Sequence, residues 1–273
     1  MEAPPPDLLT TDKEWAAYHA LVDKIHAARK QRDAAAQDDA LDNAVDRAFL
    51  TPYCLRRYLR ARQFNVDRAA AMLLATLAWR RATRPDLLTA ASVQAVYELG
   101  TVFLAGHDRH RRPVVYMRPG ARNPNKPELR VQFMVWIMET SIAATAEADG
   151  VEKITWVLDF SAFGERANDA ESRETSKATL DILQNHYPER LGCAVLVNPP
   201  WYFRMLYMVI SPFIDRVTRE KVRIVSGDAA AVTAGLTELI APEELLVAFG
   251  GQRPSPIGTA TAAAAAATAA TAS

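Results

Sequence analysis

Only two cysteines, Cys54 and Cys193, occur in 273 residues. They lie far apart, one of them inside an apolar run, so a disulfide framework is excluded and both read as reduced thiols of a reducing compartment. A surplus of one charge is missing too. The 32 Lys and Arg are balanced by 32 Asp and Glu, which argues against a general nucleic-acid binder. No apolar run reaches the roughly 18 residues of a membrane-spanning helix. The opening stretch MEAPPPDLL has neither the basic nor the apolar segment of a secretory leader. Also absent are a G-x-S-x-G elbow, a G-x-G-x-x-G turn and a Walker loop. Common α/β enzymes carry one of these, so their absence favours binding over turnover, with no catalytic residue, cofactor or metal expected.

Charge is nevertheless unevenly placed. Between Leu55 and Pro85 stand eight arginines and one acid, Asp67. Such a field either faces an anionic surface or forms the solvated faces of helices, and the second is the commoner case. Residues 1–10 are Pro-rich and expected to be loose. Thr51-Pro52 has the form of a helix start, followed by helices over 53–63 and 66–83. Beyond Ser92 the pattern changes. Short apolar runs at 101–105 and 113–117 flank a basic turn, a hairpin signal. Helices at 128–148 and 169–187 then alternate with strands at 154–160, 193–198 and 222–225, which predicts a largely parallel, covered sheet. After Thr259 the chain is almost all Ala and Thr, of low complexity and expected to be disordered.

One segment stands out. From Trp201 to Ile214 only Arg204 and Ser211 interrupt an apolar stretch that as a helix would be roughly 21 Å long. A helix apolar on every side must be buried or must touch something apolar, so a lid over a cavity and a central core helix are both open. Three smaller groups could carry chemistry. Arg62 continues the apolar stripe of Leu55, Tyr58 and Leu59, where a guanidinium must be paired or bind an anion; spacing alone favours an internal salt bridge. Thr218 and Lys221 share one helical face and could both donate to a phosphate, although a cap and a solvated charge are the simpler reading. Asp159, ending an apolar strand, is either a catalytic carboxylate or a turn cap. His107 and His110 lack metal-ligand spacing.

In order, LRRYLRARQFNVDRAAAMLLATLAWR (55–80), RRPVVYMRPG (111–120), ITWVLDFSAFG (154–164), NHYPERLGCAVLVNPPWYF (185–203), SPFIDRVTREKVRIV (211–225) and FGG (249–251) resemble the CRAL-TRIO family of lipid-binding and lipid-transfer proteins. The likeness covers roughly residues 45–252. Within the family the chain resembles the group of the yeast phosphatidylinositol/phosphatidylcholine transfer protein. The resemblance implies an α/β fold in which a helical N-terminal lobe packs on a mixed, mostly parallel sheet flooring a hydrophobic lipid pocket. It also implies a division into residues 1–45, a partly loose helical segment; 46–90, the family's N-terminal helical extension; 91–252, the lipid-binding domain; and 253–273, a disordered tail.

By the same resemblance Arg62, Glu189, Thr218 and Lys221 would bind a lipid headgroup. Thr218 and Lys221 would hold the phosphate, while Arg62 and Glu189 would form a charge network. Trp201, Tyr202, Met205, Leu206, Met208, Val209 and Phe213 would form the gate and the apolar pocket. Ile154 and Trp156 stand where choline-lipid binders place hydroxyls, which speaks against that lipid and against exchange of two lipids. Arg111 replaces the hairpin's usual Gly. The implied protein is a monomeric cytoplasmic carrier with peripheral membrane association, whose partners are a phospholipid, expected to be phosphatidylinositol, and transiently a membrane surface, not nucleic acid. The rival is a carrier of a phosphate-free ligand such as a sterol, tocopherol or retinoid-like molecule.

Overall fold

The computed structural model describes residues 4–5, 7–35, 40–119, 126–161, 170–202 and 220–256. The chain divides into two compact units. One comprises 1–87 with 178–189, the other 88–177 with 190–273. The boundary therefore falls inside a helix, which the sequence does not announce.

The first unit is built from α1 (Asp12–Ala35), α2 (Ala40–Phe49), α3 (Pro52–Ala61), α4 (Val66–Thr83) and the end of a later helix. Each start has a local cause. Before α1, Glu14 accepts the Thr10 and Thr11 backbone N–H groups, while Thr11 Oγ1 accepts from Glu14 N, a reciprocal cap. These bonds, chiefly that from the Thr10 N–H, hold the Glu14 carboxyl below its usual range. Thr51 caps α3 by accepting from Cys54 N at 3.1 Å, with Pro52 in the first turn as its sequence implies. Asn65 caps α4, which ends on left-handed Arg84, just before Pro85.

The core of this unit joins Tyr18, Leu21 and Ile25 of α1 to Leu55, Tyr58 and Leu59 of α3 and to Leu73 and Leu77 of α4. Leu8 and Leu9 are only 5% and 6% exposed, and Arg56 Nη1 donates to the Leu8 carbonyl. This corrects the expectation of a loose segment there: two leucines outweigh the prolines, at roughly 2 kcal/mol for each buried side chain.

Asp46, fully buried, receives Arg29 and Arg32 from α1 and Arg81 from α4 at 3.3, 3.0 and 2.8 Å. Arg80 lies over the Phe49 ring, and Arg57 is 4% exposed. The run of arginines is thus neither a free basic field nor a simple solvated face. Several of its members hold the helices to one another.

The second unit centres on a five-stranded sheet, ordered β1 (Val102–His107), β2 (Pro113–Met117), β3 (Ile154–Asp159), β4 (Leu191–Val197) and β5 (Val222–Val225). The hairpin pair β1–β2 is antiparallel and the remaining pairs are parallel, so the sheet is mixed and mostly parallel, as expected. In the hairpin, Asp108 accepts from His110 N, Arg112 N, Arg112 Nε and Thr155 Oγ1. Four donors satisfy one buried carboxylate and lock the turn onto β3. Arg111 has φ +62, the left-handed backbone that a glycine would adopt without strain.

One face of the sheet packs Phe103, Tyr116, Val157, Val195 and Val197 against Val232 and Leu236 of a helix at Ala229–Thr237 and against Leu239, Ile240, Leu245 and Leu246. Phe103, Tyr116 and Phe249 stack in a column. A Cβ on Gly251 would sit 2.2 Å from the Leu245 carbonyl oxygen, and Gly250 has φ +82. The FGG run is therefore a packing requirement.

Candidate ligand-binding site

The strand register assigns every side chain to a face, because paired residues in a ladder point the same way. Opposite the packed face lie Val102 and Leu104 (β1), Val115 and Met117 (β2), Trp156 and Leu158 (β3), Ala194 and Leu196 (β4), and Val222 and Ile224 (β5). All ten are apolar. Their burial is uneven. Val102, Val115 and Leu196 are buried, Leu104, Met117, Trp156, Leu158, Ala194 and Val222 only half-buried, and Ile224 is 37% exposed.

A helix at Pro127–Ala143 covers the β1–β2 end, with Phe133, Ile137 and Met138 buried. Interior parallel strands are ordinarily covered on both faces. Here β3 and β4 offer a wholly apolar surface that is incompletely covered, which is the form of a floor for an apolar ligand. A pocket of about 240 Å³ lies beside the edge strand, lined by residues that include Leu104, His107, Pro113 and Arg253. It is smaller than the ~300 Å³ at which small-molecule sites begin.

Of the headgroup candidates, Arg62 caps the C-terminus of α3. It is half-buried, and its Nη1 donates to the Ala61 carbonyl at 2.9 Å. Among the described residues no carboxylate lies within ion-pair distance of it, so the salt bridge that spacing favours is not found there. Glu189 is half-buried at φ +60, after the buried pair Tyr187 and Pro188. Lys221, also half-buried, immediately precedes β5, and its carbonyl accepts from Ala194 N at 2.7 Å. Arg62 and Glu189 belong to the first unit and Lys221 to the second.

Thr218, Met205, Leu206, Met208, Val209 and Phe213 lie outside the described residues. Trp201 and Tyr202 lie within them, in a helical turn after Pro199 and Pro200. They are 72% and 43% exposed, with rings edge-on at 5.9 Å.

The other candidates resolve simply. Asp159 Oδ1 accepts from Ser161 N at 3.0 Å, the turn cap rather than an aimed carboxylate, with Arg118 3.9 Å away. Arg190 is buried, ion-paired to Glu147 at 2.7 Å and bonded to the Glu152 carbonyl. Among the described residues no group of three His, Cys, Asp or Glu could hold a metal ion, His107 and His110 included. No described helix is long and apolar enough to cross a membrane. The floor itself escapes a reading by motif because it is an alternation distributed over five strands, visible only once the register pairs them.

Comparison with known proteins agrees with this architecture. Residues 97–251 match the CRAL/TRIO domain and residues 18–75 its N-terminal domain. The phosphatidylinositol transfer protein PDR17 of Saccharomyces cerevisiae is 36% identical over 186 residues, covering 64% of this chain and 53% of that protein. A CRAL-TRIO domain-containing protein of Schizosaccharomyces pombe is 34% identical over 179 residues, 66% of this chain and 17% of that one. Patellin-6 of Arabidopsis thaliana is 30% identical over 215 residues, 74% and 51%. The chain thus spans about half the length, or less, of the curated relatives it matches. The crystal structure of Sfh5 superposes with a TM-score of 0.62 at 20% identity, covering 83% of this chain and 84% of that one, a likeness of fold. Sequence, fold and sheet geometry converge: the chain belongs to the CRAL/TRIO domain family.

Proposed function

We propose that this protein binds a single phospholipid, phosphatidylinositol foremost, and transfers it between membranes or presents it at one. The observation that carries the reading is the apolar, half-open face of β3 and β4, flanked by β2 and β5. An acyl chain gains about 0.8 kcal/mol for each CH₂ withdrawn from water, so a continuous hydrocarbon floor is what a carrier needs. Charge supports the phosphate. Lys221 and Arg62 are half-buried cations at the ends of their elements, and Arg62 has no carboxylate partner among the described residues. Glu189 and Thr218 complete the headgroup set that the family resemblance implies. The name of the relative PDR17 points to the same lipid.

Binding involves no bond making, so the protein acts without turnover. The exposed Trp201 and Tyr202 suit the water–bilayer boundary, where amphipathic rings sit at headgroup depth. In this reading the protein works as a cytoplasmic monomer that meets membranes peripherally. The test is uptake from phosphatidylcholine vesicles containing labelled phosphatidylinositol. Wild type takes up the label, and Lys221→Ala reduces uptake at least about tenfold, the loss of one charge-assisted contact. Equal uptake by Lys221→Ala and wild type overturns the headgroup assignment. Uptake of a sterol or tocopherol in place of the phospholipid supports a phosphate-free ligand instead.

A further inference from the structure

Three residues of α3 and α4 converge on His186, which ends the helix at Ala170–His186. The Trp79 ring stacks on the imidazole at 4.4 Å and 7°. Thr76, fully buried, lies with Oγ1 3.1 Å from His186 Nδ1. That hydroxyl has one proton, and the carbonyls of Met72 and Asn185 stand ready for it at 3.1 and 3.3 Å. With that proton on either carbonyl, Oγ1 is left to accept from an Nδ1–H of the imidazole. Tyr58, 1% exposed, donates its hydroxyl to the His186 carbonyl at 3.1 Å. Burial of the ring holds its pKa below the usual histidine value.

The chain leaves this seat through buried Tyr187, whose ring meets Trp79 edge-on at 5.9 Å, and buried Pro188. It then enters Glu189 at φ +60. A left-handed backbone is unfavourable for a residue with a Cβ and persists only where its surroundings hold it. All of these residues belong to the first unit.

We infer that Tyr58, Thr76 and Trp79 are positioning residues for Glu189: by seating His186 they fix the direction in which Pro188 and Glu189 leave the helix. This rests on the reading of Glu189 as a headgroup residue. The seat acts through the backbone of residues 186–189.

The experiment pairs amide hydrogen exchange over 186–190 with uptake from phosphatidylcholine vesicles containing labelled phosphatidylinositol. Thr76→Val removes the hydroxyl at nearly constant volume, Thr76→Ser restores it, Tyr58→Phe deletes the second bond, and Glu189→Gln removes the charge. Thr76→Val and Tyr58→Phe are expected to raise exchange over 186–190 about fivefold each, the effect of one lost hydrogen bond, and to lower uptake. Thr76→Ser returns both readouts to wild type, and Glu189→Gln lowers uptake with exchange unchanged. Unaltered exchange in both Thr76→Val and Tyr58→Phe overturns the inference. So does faster exchange with full uptake in a background where Glu189→Gln loses it. Full uptake by Glu189→Gln places the fault in the headgroup reading, and exchange alone then judges the seat.

Discussion

At the scale of single residues, buried charge and left-handed backbone account for most of what the sequence concealed. His186 is a case with a pH signature. Its folded pKa lies below the ordinary 6.5 because burial penalises the imidazolium. Below pH 6.5 the unfolded chain therefore binds more protons than the folded one, and stability falls until the folded pKa is passed. Above pH 6.5 this contribution is fully present. Urea denaturation at several pH values is expected to show that loss in wild type and its absence in His186→Asn; the same slope in both contradicts it. Asp46 carries a larger share. Removing a buried carboxylate that holds three arginines leaves cations without their counter-charge, so Asp46→Ala is expected to cost about 3–5 kcal/mol. A denaturation midpoint close to wild type would exclude that role. Arg111 runs the other way. Arg111→Gly relieves a left-handed residue, roughly 1 kcal/mol, and gives up only the exposed pair with Asp149. Equal or slightly higher stability is the expected outcome.

At the scale of elements, much was legible. The cap Thr51-Pro52, the helix at 66–83 and the strand at 222–225 fall where their sequences place them, because a cap, a breaker or an apolar run is a local signal. Leu8 and Leu9 were not legible. A Pro-rich flank hides two leucines of the core, and Arg56, which donates to the Leu8 carbonyl, lies 48 residues away. Nor was the use of the arginines between 55 and 85, since Arg80 finds Phe49 and Arg81 finds Asp46 only after α2 and α4 have packed. For the candidate site, residues 62, 189 and 221 were singled out by family resemblance, because spacing alone favoured an ion pair and solvated charges, and the apolar floor needed strand register. Ile224 offers a test at this scale. It is 37% exposed, so Ile224→Glu is expected to change stability by no more than about 1 kcal/mol. The charge it puts on the floor should nevertheless lower phospholipid uptake at least about tenfold, an effect that the vesicle assay reads directly.

At the scale of the whole molecule, two compact units share the chain, and the second carries the apolar sheet face. The central claim is that the sheet face is a floor for an acyl chain. The most direct measurement is native mass spectrometry of the purified protein after incubation with phosphatidylinositol vesicles, repeated for Ile224→Glu. The account predicts a single added mass of one phosphatidylinositol on wild type and little or none on the variant. Wild type that remains at its bare polypeptide mass, under conditions where vesicle lipid is in excess, contradicts it.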